Sequence, residues 1–232
     1  MRTVMVLNAK GGCGKTTIAT NLAGYFAKQG AVSALKDFDP LGASMEWLKQ
    51  RPASAATIHG LSAFAPPAQA VTRTWALRLP GNTDYLTIDT PAGVDPNRLI
   101  TVMKSVDRFI IPVVPSPIDV RASGVFIRTL LNFMKLNPCR GEIALLASRA
   151  TRESRFYHAL QRVFAGFDLP FVSAISLSDH YILGAEKGLS IFEMDLPERT
   201  AELQEWDPLI DWIEGKQASA VQSRVFATAR RR

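Results

Sequence analysis

The sequence predicts an α/β protein: one mostly parallel, twisted sheet covered by helices on both faces. Short aliphatic runs alternate with longer segments of helical periodicity from one end of the chain to the other. The runs at 4–7, 85–88 and 109–114, in which Thr87 is the one polar residue, read as continuous apolar runs rather than alternating ones, which suits strands buried on both faces. A length of 232 residues with 47% apolar side chains fits a single domain with a large core.

The elements follow in order. Strand 3–7 leads into Lys10-Gly11-Gly12-Cys13-Gly14-Lys15-Thr16-Thr17, and a helix runs from 15 to about 29. Strand 31–35 is closed by Asp37-Phe38-Asp39-Pro40. Helix 44–50, strand 57–64 and helix 67–77 come next. Strand 85–88 is closed by Asp89-Thr90-Pro91-Ala92-Gly93 and followed by helix 97–105. Strand 108–114, helix 118–136, strand 143–147, helix 152–165 and strand 171–176 complete the alternation. Helices at 179–187 and 197–214 end the domain, taken as 1–215, with a basic tail at 216–232.

The glycine-rich segment has the composition of a phosphate-binding loop. Gly11, Gly12 and Gly14 let backbone N–H groups turn inward, and Cys13, Lys15, Thr16 and Thr17 complete the cradle. The following helix points its positive end at the phosphates. Lys15 would reach the β- and γ-phosphates, and the Thr16 hydroxyl would face Mg²⁺. The carboxylates of Asp37, Asp39 and Asp89 follow apolar runs, so they emerge at the carboxyl edge of a parallel sheet, where ligands bind in open α/β folds. An Asp-x-Asp-Pro segment also starts turns by itself.

The second lysine, Lys10, separates this loop from the general pattern, which would place glycine where Ala9 stands. K-G-G-x-G-K-T-T resembles the deviant Walker A loop of the ParA/MinD family of P-loop ATPases. The resemblance implies a P-loop NTPase fold with ATP and Mg²⁺ as cofactors. It implies a sandwich dimer in which Lys10 contacts the partner's ATP. It casts Asp89 as the Walker B carboxylate, Asp37 as its companion at the metal, and Asp39 as the residue that orients the attacking water. Pro112–Pro117 and the segment from Ala185 to Glu193 resemble later family segments. Arg149 stands at the adenine side, although Ser148 replaces the usual asparagine. Leu41 replaces a common glutamine, and Lys36 stands where an apolar residue normally ends the second strand. If buried, Lys36 has Asp37 or Asp89 as a candidate partner; otherwise it snorkels to solvent.

Charge narrows the partners. The net charge is +6 and the pI about 9.5. Segment 121–162 holds eight Lys/Arg against Glu142 and Glu153, whereas 179–214 holds ten Asp/Glu against Lys187 and Arg199. From Lys216 on there are five Lys/Arg and no acid. Basic segments of this kind suit sequence-independent phosphate contacts with DNA, or are solvated helix faces. No operator-reading domain is expected, since the first strand starts at once. Mean hydropathy is only +0.05 and there is no 18-residue apolar run, so no membrane-spanning helix is expected. In the tail only Val221, Val225 and Phe226 share an apolar face, too little for stable membrane gripping. Two cysteines, Cys13 and Cys139, are read as free thiols in a reducing compartment.

Three functions compete at this level. The first is a ParA-type positioning ATPase: cytoplasmic, nucleoid-associated, homodimeric with ATP, and stimulated by a small partner protein. The second is a MinD-like membrane ATPase. The third is a metabolic or iron–sulfur P-loop relative, which the lack of paired interface cysteines disfavours. The short form and segment 44–52, with Trp47, Arg51 and Pro52, look most like orphan cargo-positioning ParA proteins, whose cargo the sequence does not name.

Overall fold

The computed structural model of the chain describes residues 1–64, 78–196 and 200–216, the side chain of Arg98 excepted. Seven strands form one sheet: β1 (Arg2–Val6), β2 (Ser33–Asp37), β3 (Ile58–Ser62), β4 (Tyr85–Asp89), β5 (Arg108–Val113), β6 (Glu142–Ser148) and β7 (Phe171–Ile175). Their order is β3-β2-β4-β1-β5-β6-β7, and every neighbouring pair is parallel. Parallel neighbours need crossovers, and helices supply them. The chain winds outward from β1 in both directions, so the crevice at the carboxyl end of β1 is the topological switch point.

Helices cover both faces. On one face lie α1 (Lys15–Lys28) and α2 (Ala43–Lys49). The late helix α8 (Asp207–Glu214) joins them, burying Leu209, Ile210 and Ile213. On the other face lie α3 (Pro96–Met103), α4 (Pro117–Leu136) and α5 (Arg155–Phe164). The short α6 (Asp179–Glu186) and α7 (Ala201–Gln204) follow β7. Val4, Val6, Ile88, Ile110 and Ile111 are fully buried, as the continuous apolar runs require.

Several boundaries differ from expectation. The second strand lies two residues later than 31–35, because β2 pairs with β4 through Asp37↔Asp89; both aspartates are strand residues, not turn residues. The helix expected from 152 starts at Arg155, where Ser154 caps it by accepting from the N–H of Tyr157 at 3.1 Å. The long helix expected at 197–214 is broken between α7 and α8 around the fully buried Trp206, ahead of Pro208 in the first turn of α8. The helix expected at 67–77 and the tail beyond Lys216 lie outside the described residues. Lys36 pairs with neither candidate carboxylate. Strand alternation turns it to the face opposite Asp37, half-buried, with its ammonium 5.1 Å from the centre of the Phe38 ring, and burial lowers its pKa.

Candidate nucleotide-binding site

The loop from Ala9 to Thr17 leaves β1 at the switch point and feeds directly into α1. Gly12 at φ 74° and Gly14 at φ 89° hold left-handed conformations that β-carbon-bearing residues strain to reach. Their N–H groups are thereby free to curl around an anion. Asn8, fully buried, ties the loop down. Its amide donates to the Pro112 carbonyl at 2.8 Å and to Ser123 Oγ at 2.9 Å, while its Oδ1 accepts from the Lys10 N–H at 3.1 Å. Gly93 N–H donates to the Ala9 carbonyl at 2.7 Å, which joins the segment after β4 to the loop.

Lys15 is 7% exposed and its ammonium donates to the Lys10 carbonyl at 2.9 Å, so its cation is held at the loop's mouth. Cys13 fills the loop base and donates to the same carbonyl at 3.2 Å; burial pushes its thiol pKa up, against the opposing pull of Lys15. A raised pKa marks an inert packing thiol rather than a reactive one. Cys13 and Cys139 are both free.

Two carboxylates stand at this crevice with no exposed surface, Asp37 and Asp89. Neither oxygen of Asp89 and one oxygen of Asp37 has a hydrogen-bond partner. Burial is the main reason the Asp89 pKa is pushed up to about 7; the Thr16 hydroxyl and Lys15 oppose this, and the neighbouring Asp37 adds to it. Burial likewise raises Asp37, opposed by the Ser44 hydroxyl and the N–H groups of Asp39 and Met45. A buried carboxylate without partners is costly unless something positive meets it. Oxygen donors beside a phosphate cradle are the donor set of Mg²⁺, which takes one or two carboxylates and completes its shell with phosphate oxygens and water. Thr16, Asp37 and Asp89 fit that ion. Among the described residues no cluster of three or more His, Cys, Asp or Glu could hold a metal unaided.

Asp39 lies just beyond, in the turn after β2. Its N–H donates to Asp37 Oδ1 at 2.8 Å and its own Oδ1 accepts from the Leu41 N–H at 2.9 Å. Asp37 thus positions Asp39. Arg149 is exposed at the end of β6 with φ 58°, and the preceding Ser148 Oγ comes within 3.0 Å of where a β-carbon on Gly14 would stand. The turn after β6 therefore abuts the glycine-rich loop.

Two contacts here were not anticipated. Lys10 is 3.4 Å from Asp119 Oδ1 in the first turn of α4, where Asp119 is also bonded to Ser116 Oγ at 2.5 Å. Arg51, just past α2, forms a 2.5 Å ion pair with Glu193, both side chains 7% exposed. It also donates to the Gly188 and Ala56 carbonyls at 2.9 and 2.7 Å, and lies over Trp47. Gly188 permits this approach: a β-carbon there would meet Arg51 N at 2.4 Å. A polar residue closing an apolar strand was the available signal for Asn8. Nothing local linked Arg51 to Glu193, 142 positions away.

A parallel doubly wound sheet with this loop at its switch point defines a P-loop nucleotide-binding protein. The chain belongs to the CobQ/CobB/MinD/ParA nucleotide-binding domain family, which it matches over residues 4–192. It is 30% identical over 204 residues to the maintenance of carboxysome distribution protein A of Halothiobacillus neapolitanus, covering 86% of this chain and 90% of that one. The protein of the same name from Gloeobacter kilaueensis is 33% identical over 163 residues, covering 66% and 71%. Among solved structures, apo McdA from Cyanothece has a TM-score of 0.68 at 18% identity, covering 94% of this chain and all of that one. The MinC:MinD cell division complex of Aquifex aeolicus gives 0.70 at 18%, covering 94% and 97%. At such identities the structures speak for the fold. No described helix is long and apolar enough to cross a membrane.

Proposed function

We propose that this chain, over residues 1–215, is a ParA-type ATPase that closes as a dimer around two ATP molecules and positions a cargo through partner-stimulated hydrolysis. The observation that carries the reading is the pair of buried carboxylates Asp37 and Asp89 beside Thr16 and the Lys15 loop, three of whose four oxygens lack a hydrogen-bond partner. Such an arrangement is costly alone and makes sense against Mg²⁺ and a triphosphate. The names of the relatives favour a carboxysome-type organelle as cargo.

In this mechanism Lys15 and the loop N–H groups hold the β- and γ-phosphates, and Arg149 borders the base. Thr16, Asp37 and Asp89 would hold Mg²⁺, which neutralises charge on the transferred phosphoryl group. Asp39 orients the attacking water. Lys10, released from Asp119, reaches the partner's nucleotide, so that closure reports bound ATP. The basic segment 121–162 and the tail 216–232 give the dimer a DNA surface indifferent to sequence, and with it a place on the nucleoid of a bacterial cytoplasm.

Equilibrium sedimentation with ATP tests this. Lys15→Ala should not bind ATP, and Lys10→Ala should bind ATP yet stay monomeric. A Lys10→Ala protein that dimerises like wild type would remove the reading. The DNA step is read by fluorescence anisotropy on random duplex at several salt concentrations. Arg155 and Arg162 are the residues to reverse there, both exposed on α5, because the Arg152 guanidinium is engaged by the Val172 carbonyl at 3.1 Å. Equal DNA affinity with ATP, ADP and no nucleotide would sink the switch.

A further inference from the structure

Between the start of α4 and the outer side of α5 runs a groove of 440 Å³ that the nucleotide chemistry does not use. Its walls are Pro117, Val120, Phe156, Ala159, Leu160 and Val163. Phe156 is 49% and Val163 57% exposed. The source of this exposure is legible in α5. Tyr157, Leu160 and Phe164 face the core. Phe156, Ala159 and Val163 form a second apolar stripe at helical spacing, one residue out of phase, that no described element covers. A solvent-facing stripe of this kind marks an interaction surface.

The charge on the groove's lining is positive. Arg121 is the one charged residue among those described that line the groove. Arg155 opens α5 with its guanidinium 4.8 Å from the Phe156 ring centre. Arg128 and Arg162 lie exposed further along the same two helices. The chain's own tail is a poor occupant. Its apolar residues Val221, Val225 and Phe226 come with arginines, which the rim repels. It also departs from Gly215, beside Arg2 and Arg108 at the amino ends of β1 and β5, whereas Pro115 at the groove follows the carboxyl end of β5. DNA does not account for the groove either, since phosphate contacts require no apolar walls.

We infer that this groove docks an acidic amphipathic helix from a partner protein, with apolar residues at i, i+3, i+4 and i+7 seated between α4 and α5 and flanking Glu or Asp facing Arg121 and Arg155. Phe156 to Val163 spans about 10 Å, or two turns of an incoming helix. The site opens beside the phosphate loop, because Asp119, which holds Lys10, adjoins Val120. The inference stands apart from the ATP cycle and is tested without nucleotide.

The probe is a labelled 18-residue designed helix with leucines at those spacings and glutamates at the flanks. A second peptide replaces every glutamate with lysine. Anisotropy titrations with the full chain should show saturable binding of the glutamate peptide and markedly weaker binding of the lysine peptide. Phe156→Ser with Val163→Ser, both at exposed positions and checked by thermal melting, should weaken the glutamate peptide by about tenfold or more. Arg121→Glu should weaken the glutamate peptide and strengthen the lysine peptide. The proposal is overturned by no saturable binding, by equal binding of the two peptides, or by binding that duplex DNA displaces but the Phe156/Val163 variant leaves unchanged. That last result would assign the contact to the basic surface alone.

Discussion

Asp89→Asn should flatten the pH dependence of folding stability between pH 5 and pH 8. The Asp89 pKa stands at about 7 in the folded chain against an ordinary 3.8. The folded state therefore binds this proton more tightly than the unfolded chain does. By linkage, stability is greatest below about pH 4, falls as pH rises, and levels off above pH 7. A difference of about three units corresponds to about 4 kcal/mol in all, more than half of which falls between pH 5 and pH 8. Asparagine keeps the shape and removes the titration. Urea unfolding without nucleotide at pH 5 and pH 8 gives the two slopes. Asp37 also titrates upward, so the readout is the difference between wild type and variant, with the variant the more stable of the two at pH 8. Mg²⁺ should then no longer strengthen ATP binding in the variant. Identical pH slopes in the two proteins would refute the idea that the fold holds this carboxylate at the expense of stability.

The fold was legible because its signals are local. Apolar runs locate strands buried on both faces, and the glycine-lysine loop locates the switch point. The candidate site was legible only as a set of residue types; Thr16, Lys15, Asp37, Asp39 and Asp89 lie near one another at one sheet edge, while the Lys10 ammonium turns to Asp119. What local reasoning misjudged was depth. Asp37 stood beyond the expected strand end at 35, yet it is the last pair of the β2–β4 register and fully buried. Lys36 was left between a carboxylate partner and solvent; strand alternation sends adjacent side chains to opposite faces, which removes Asp37 as a partner. The Asn8, Arg51–Glu193 and Lys10–Asp119 contacts join positions far apart in sequence. No periodicity encodes such pairings; only the folded topology brings them together.

Further outcomes follow from the same contacts. Arg51→Met should cost about 3–5 kcal/mol in urea unfolding at pH 7, because it strands Glu193 in the interior. Burial would raise the Glu193 pKa, but Arg51 and Ser190 outweigh it and hold the pKa below 4.5; wild type should therefore shed part of this stability as pH falls through that depressed value, and the variant should not. Lys36→Ile should raise the melting temperature by a few degrees, since a half-buried ammonium gives way to an apolar side chain on a core strand; a lower melting temperature would show that the Phe38 contact is worth more than the desolvation. Asp39→Ala should bind ATP and dimerise but turn over very slowly, and wild-type turnover would leave Asp39 as a turn residue only. Asp119→Asn bears on how the loop waits for its partner. The pair it breaks is part-exposed, with side chains 39% and 19% accessible, so its worth is at most about 1 kcal/mol per chain. Asparagine can still accept from Ser116, so the start of α4 should survive. Each dimer frees two copies of Lys10, and releasing both should tighten ATP-driven dimerisation by about fivefold to tenfold in sedimentation, with monomer ATP affinity unchanged. A variant that dimerises more weakly than wild type would show that Asp119 guides Lys10 toward the partner's nucleotide instead of holding it back.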